Sequence, residues 1–427
     1  MIEILYLNLQ FLIFIVYFNT YTQLIRSIKI TKFLSIYDLI SINILIQFII
    51  FLIISFFKIN IELFFYFNLI ISLFFIFKFN FYKEYLNLSS LIFYIIGITI
   101  FLSIARFNDL GWDGLAHWIY KVNLFNVGGS LHDFDSLPFP SYPHLGSFIW
   151  SFFWQNSVLD YEYIGRLFIP FIYIVSIFAL CRRVKNNNLF YLLSFLIIFF
   201  NYDLFLFSGY QEYICFSIIL IMSRFYILGD VKKNFYLIFF VFIMGSTILI
   251  WTKDESLFFS IFISIALLIK MFRNKKFIYI YSILFFLIIT LSYFIEIYFK
   301  GSFDFQSEFD LNLVLSRINF EYIFNFIYKF NYHFVVALFK YPLSLVSIIS
   351  IYICIKKNIL DKSLINGLIV YLVLNYLFLN IVYFSTPYSL EEMLANSTDR
   401  LIFQISGFII FPLVEIFSFY NKKFNYF

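Results

Sequence analysis

Residues 38–57 read DLISINILIQFIIFLIISFF. One charge stands at the first of these twenty positions, and fifteen of the others are Leu, Ile or Phe. A helix rises about 1.5 Å per residue, so about 20 apolar residues are needed to cross the hydrocarbon core of a bilayer. The stretch reads as a transmembrane helix, and it is not alone. Comparable windows fall near 3–20, 38–57, 61–79, 87–105, 162–181, 187–206, 211–229, 234–251, 256–271, 277–295, 333–355, 363–384 and 400–419. The expected fold is all-α: a polytopic transmembrane helix bundle of about 13 spans. The run 145–159 (LGSFIWSFFWQNSVL) is too short to cross and suits a re-entrant or interfacial segment.

Composition points the same way. The chain is 63% hydrophobic and 13% charged, whereas a soluble domain has about 45–50% apolar and roughly a quarter charged residues. So little polar surface cannot cover a water-facing globule, which excludes a soluble enzyme, a nucleic-acid binder and a disordered scaffold. Phe alone supplies 67 residues, so a Phe-rich stripe here means lipid or core before it means a site. Cys181, Cys215 and Cys354 lie in or beside apolar segments with no metal-like spacing. They read as buried small residues and not as a disulfide framework. The first apolar run has no A-x-A-like end and is followed by more spans, so it does not read as a removable signal peptide.

Charge placement tests the span count. Basic residues cluster in alternate connections: Arg26/Lys29/Lys32, Lys78/Lys83, Arg182/Arg183/Lys185, Lys232/Lys233, Lys270/Arg273/Lys275/Lys276, Lys356/Lys357/Lys362 and Lys422/Lys423. That puts 19 of the 30 basic residues on one face, the cytoplasmic one by the positive-inside rule. The alternation holds throughout only if 145–159 does not cross. The opposite, outer face takes the long connections 106–161, 296–332 and 385–399 and most of the acids. The chain thus divides into a four-span segment 1–105, an outer loop with interfacial helices 106–161, a six-span core 162–295, a second outer loop 296–332 and a three-span segment 333–427. No internal repeat or flexible linker interrupts this order. Asn126-Val127-Gly128-Gly129-Ser130 is a turn, and without a preceding strand it is no phosphate loop.

The informative outer stretch is RFNDLGWDGLAHWIYK, residues 106–121. From Asp113 onward it reads as an amphipathic helix. Leu115, Trp118, Ile119, Val122 and Phe125 share one side at about 100° per residue. Asp113, His117 and Lys121 share the other. Such a helix lies in the membrane interface with its apolar side down, and Asp113 suits its N-cap. The plainer alternative is a capped interfacial helix whose polar side faces water. Pro138, Pro140 and Pro143 then stiffen an extended approach to residue 145. Asp133 and Asp135 in this stretch have the chemistry to contact a ligand or a metal, but two loop acids are more often simply solvated.

Three further polar clusters fall on the predicted outer face. Ser208-Gly209-Tyr210-Gln211-Glu212 opens the seventh span, and Thr252-Lys253-Asp254-Glu255-Ser256 forms a very short turn. Glu391, Glu392, Asp399 and Arg400 precede the last span. Charges near the bilayer centre cost about 2.5–3.5 kcal/mol on insertion scales; at helix ends the cost is smaller, so none of these clusters is telling alone. Lys253, Asp254 and Glu255 also read as a self-neutralised turn. Convergence is the stronger signal: four separated clusters are expected at one depth.

The motifs resemble those of GT-C type membrane glycosyltransferases. Trp112-Asp113-Gly114 through Trp118 and Lys121, followed by Tyr142-Pro143-His144-Leu145, is similar to a bacterial group with a W-D-A-x-x-x-W-x-x-K-A loop and a following Y-P-P-L. Gly209-Tyr210-Gln211-Glu212 resembles that group's G-Y-x-D, Lys253-Asp254-Glu255-Ser256 its K-N-E-G, and Asp399-Arg400-Leu401 its S-x-R-L. The order agrees from about residue 106 to 412. Gly114 stands in place of Ala, His144 in place of the second Pro and Glu212 in place of Asp; none of these changes removes the loop Asp, the Lys or the second Glu.

What the resemblance implies is transfer of a sugar from a polyprenyl-phosphate-linked donor to a glycan, lipid or protein acceptor of the cell envelope. The expected location is the bacterial inner (plasma) membrane, with the active site on the extracytoplasmic side. The lipid bilayer is then a partner and nucleic acid is not. Asp113 is the expected catalytic base, since an acceptor hydroxyl needs a carboxylate within reach to take its proton. Lys253, Lys121 and Arg400 are the cations for the leaving phosphate. Asp109, His117, Tyr142, Glu212 and Glu255 complete the substrate-binding set. No residue is assigned as a metal ligand and no cofactor is assigned; the resemblance leaves a divalent cation open. The competing readings are a transporter or flippase, which would carry its charges near the midplane on duplicated halves, a polymerase or ligase for lipid-linked glycans, and a membrane protein without chemistry.

Overall fold

The computed structural model describes residues 2–28, 31–79, 87–140, 142–228, 231–271, 275–300 and 311–424. Lys29, Lys83 and Arg273 of the basic clusters lie outside the described residues, as do the side chains of Lys232, Lys233, Lys275, Lys276, Lys423 and Asp135. Helices are the only regular elements among the described residues. Seven are long and apolar enough to cross a membrane, among them Ile36–Ser55, Glu162–Cys181, Lys362–Ser385 and Leu390–Lys422. A bent pair makes an eighth if it counts as one span. Four more apolar helices of 10–17 residues are too short by that measure.

Burial orders the bundle. Phe168–Cys181 and Glu212–Tyr226 are buried along their whole lengths, so they form its axis. Ile61–Lys78 and Leu88–Arg106 keep most of their surface outward, as peripheral, lipid-facing helices do. In lipid the hydrophobic effect does not drive helices together, and close side-chain packing must. Glu212–Tyr226 and Leu390–Ile409 meet this need in parallel register. Phe216 and Phe403 stack at 4.7 Å, and one turn earlier on each helix Glu212 meets Arg400.

Two expectations are corrected. The span expected at 333–355 straddles a bend of 96°, where Phe320–Lys340 gives way to Pro342–Lys356. Pro342 has no N–H to continue the first helix, yet its fixed φ suits the first position of the next. Tyr341 before it is driven out of helical geometry, to φ −112° and ψ 79°. Much of the outer loop assigned to 296–332 is also helical. Lys275–Lys300 runs into it, Leu311–Ser316 lies within it, and Phe320–Lys340 begins there; 301–310 lie outside the described residues. The short run at 145 forms an 11-residue helix, Leu145–Gln155, buried through Phe153.

Candidate functional site

Two backbone segments are first pinned together. Arg166 is 1% exposed and engages the Glu162 carboxylate through Nε (2.8 Å) and Nη2 (3.1 Å). The same guanidinium donates to the carbonyls of Asn108 (2.6 Å), Asp109 (3.4 Å) and Phe207 (3.1 Å). Just beyond, the Gly111 N–H donates to Ser208 O at 2.8 Å. Gly114 and Gly209 then touch: a Cβ on Gly114 would lie 2.8 Å from Ser208 O, and Gly209 holds φ +100°. This contact leaves no room for a side chain at position 114.

The helix after this junction does not present the face expected of it. Gly114–Trp118 is a π-helical turn, followed by the α-helix Ile119–Asn126. Asp113, His117 and Lys121 are buried with Trp118, Val122 and Phe125, whereas Leu115 is 54% exposed. The alternative in which the polar side of this helix faces water is therefore overturned. One extra residue in the turn shifts the facing of the helix, and the polar side turns inward to meet buried partners. Asp113 is not an N-cap either: its backbone is helical, and its side chain makes no capping bond.

Those partners form a chain of alternating charge. Arg400 Nη2 binds Asp113 Oδ2 and lies 2.6 Å from Glu212 Oε1. Arg400 Nε reaches the same Glu212 oxygen at 2.7 Å. Lys253 Nζ meets it from the other side at 2.9 Å and also binds Glu255 at 2.6 Å. Tyr210 lays its ring against the guanidinium, 4.6 Å from its central carbon. Three carboxylates thus share two cations, an excess of one negative charge. Glu212 is wholly buried, while Asp113, Arg400 and Glu255 keep exposed edges. Burial by itself would lower the Lys253 ammonium, but Glu212 and Glu255 outweigh it and hold the pKa above its ordinary value.

The structure therefore brings Asp113, Glu212, Lys253, Glu255 and Arg400 into one array. His117 lies beside it, 7% exposed; burial lowers its pKa first, the Asp113 carboxylate opposes this, and the nearby cations add to it. Lys121 and Tyr142, both expected to contact substrate, are joined to each other. Lys121 Nζ donates to the Tyr142 carbonyl and lies over the rings of Trp118, Phe134 and Tyr142. Asp109 is not brought in: its carboxylate is exposed and joins no ion pair among the described residues, and only its carbonyl is used, by Arg166. Asp133 pairs with Lys58 at 3.1 Å and bonds Ser130; those contacts hold its carboxyl below the usual range.

Sequence reasoning missed three contributors. Arg166 signals itself only as an i,i+4 partner of Glu162 at the start of an apolar span. Gln404, one turn after Arg400, donates to Glu255 at 3.4 Å. Lys340 binds Asp399 and lies 3.9 Å from Asp203, whose carboxylate also accepts from the Tyr341 hydroxyl at 3.0 Å. Several buried atoms near the array have no hydrogen-bond partner among the described residues: Glu212 Oε2, Gln404 Oε1, Trp118 Nε1 and His117 Nδ1. Among the described residues no three of His, Cys, Asp and Glu come together so as to hold a metal ion.

Comparison of the chain with protein-family models, with curated proteins and with solved structures gives no match.

Proposed function

We propose that this integral membrane protein is a GT-C type glycosyltransferase that moves a sugar from a polyprenyl-phosphate donor to a cell-envelope acceptor at the outer leaflet. The observation that carries the reading is Arg400, ion-paired at once to Asp113 and Glu212, which are 287 and 188 residues away in sequence. Motifs singled out separately for one chemistry lie within hydrogen-bond reach of one another. In this reading Asp113 takes the acceptor's proton. The leaving phosphate falls to Arg400 and not to Lys253. Each cation holds two carboxylates, but the Lys253 side chain is 10% exposed and the Arg400 side chain 18%, and Arg400 alone has a second N–H group beside the one that Asp113 takes. Glu255 and the unpartnered buried atoms meet sugar hydroxyls, and direct displacement inverts the anomeric centre.

The finer topology belongs to the same proposal. With the four short apolar helices, the bent pair and the buried helix Glu212–Tyr226 counted as spans beside the seven long ones, the chain crosses 13 times, with 106–161 and its interfacial helices outside the inner membrane of a bacterium. Incubating the purified protein in lipid vesicles with a panel of radiolabelled polyprenyl-phosphate sugars and cell-envelope acceptors tests the activity. The expected result is label transfer from one donor class. Transfer from none of them, by protein that remains folded, would remove the proposal.

A further inference from the structure

The guanidinium of Arg400 has five N–H donors in a fixed plane. Its side edge, Nε and Nη2, is filled by Glu212 Oε1 at 2.7 and 2.6 Å. Glu212 is wholly buried and held from behind by Lys253 at 2.9 Å, so that edge is not available to a ligand. One face of the plane lies against Tyr210. What remains is the end edge, Nη1 and Nη2. Asp113 sits there on Nη2, and Nη1 makes no hydrogen bond to a described residue.

A phosphate is best held by an arginine through two parallel N–H bonds. On Arg400 the only edge that offers them is the end edge, and Asp113 occupies half of it. We propose that Arg400 is a latch on Asp113, and that the phosphate of the donor opens it by taking the end edge and displacing the carboxylate. This rests on the transferase reading above. Glu212 and Lys253 keep the guanidinium fixed during the exchange, so one anion replaces another without moving the cation. A carboxylate that loses its cationic partner takes up a proton more readily. The acceptor oxygen then bonds to the anomeric carbon, and its proton passes to the freed Asp113. The bond from that carbon to the phosphate oxygen breaks, and its electron pair leaves with the polyprenyl phosphate. The base is therefore released only when a donor is in place, and an acceptor alone is not activated.

The test is equilibrium binding of farnesyl phosphate to the full chain in detergent, with farnesol as the headless control. Wild-type protein is expected to prefer farnesyl phosphate, and Arg400→Gln to lose that preference. Asp113→Asn keeps the side chain's size and removes the charge that competes with the phosphate for the end edge, without breaking the Glu212 contacts, so it is expected to bind farnesyl phosphate about tenfold tighter or more, the scale of a charge-assisted bond that need no longer be exchanged. Asp113→Ser reaches the same end by a second route and covers failure of the first variant to fold. If the preference is intact and depends on Arg400 but both Asp113 variants bind like wild type or more weakly, the latch is wrong and the transferase reading stands. If wild type does not distinguish farnesyl phosphate from farnesol, the donor reading itself fails and the latch goes with it.

Discussion

Helix Glu212–Tyr226 carries a buried ion pair at each end, about 18 Å apart by helix rise. At the far end Arg224 meets Asp38 one to one, Nε to Oδ1 at 2.8 Å and Nη2 to Oδ2 at 3.1 Å. Asp38 also closes a capping box with Ser35, so its carboxylate is fully spent on structure. At the near end Glu212 shares one oxygen among three donors, leaves the other unused, and belongs to a set with one carboxylate too many. Both regions are buried and charged, and burial does not tell them apart. Stoichiometry does: the far end sets one carboxylate against one guanidinium, with Arg224 Nη1 left without a described partner, and the near end sets three carboxylates against two cations.

Arg224→Gln breaks the matched pair and leaves Asp38 buried without its cation. Thermal unfolding in detergent should show a loss of about 3–5 kcal/mol, the cost of stranding one partner of a buried pair. A much smaller loss would mean that the far end is hydrated and that the contrast between the two ends is false. Asp113→Asn probes the unmatched end. Turnover should fall about 100-fold or more, the range for losing a general base, while the melting temperature stays near that of wild type. A variant equally crippled in stability would return Asp113 to a structural role.

Gly209→Ala sharpens the contrast through the backbone. The left-handed φ of Gly209 and its contact with Gly114 oppose a side chain, so about 1–3 kcal/mol of stability should be lost. Activity should drop with it, because Glu212 follows within one turn. The smallest effect is expected from His117. Its pKa lies below the ordinary value of about 6.5, so its contribution to stability is complete above that pH and is lost as pH falls through the folded value. Melting temperatures between pH 7 and pH 5 should decline less in His117→Gln than in wild type; parallel declines would assign the slope to other groups.

That the chain is a set of apolar helices was legible because span length is a long-range average, and single errors do not disturb it. Pro342 shows where averaging fails. A hydropathy window passes over one proline, although that residue ends one helix and starts another. The composition of the site was legible as well, in that Asp113, Glu212, Lys253, Glu255 and Arg400 do meet. Their pairing was not. Which face of the first loop helix turns inward depends on a single π turn, and period counting from Asp113 cannot register an inserted residue. Arg166 was hidden for a different reason: it acts through carbonyl oxygens, and every residue has one.

The Arg166 clamp has a consequence for how the protein opens. One guanidinium ties Asn108, Asp109 and Phe207, and the Gly111–Ser208 bond lies alongside, so neither segment can leave without breaking the other's contacts. Segments joined in this way unfold locally as a unit. Deuterium uptake at the amides of 108–114 and 205–211 should then follow one shared rate, as expected of a single cooperative block.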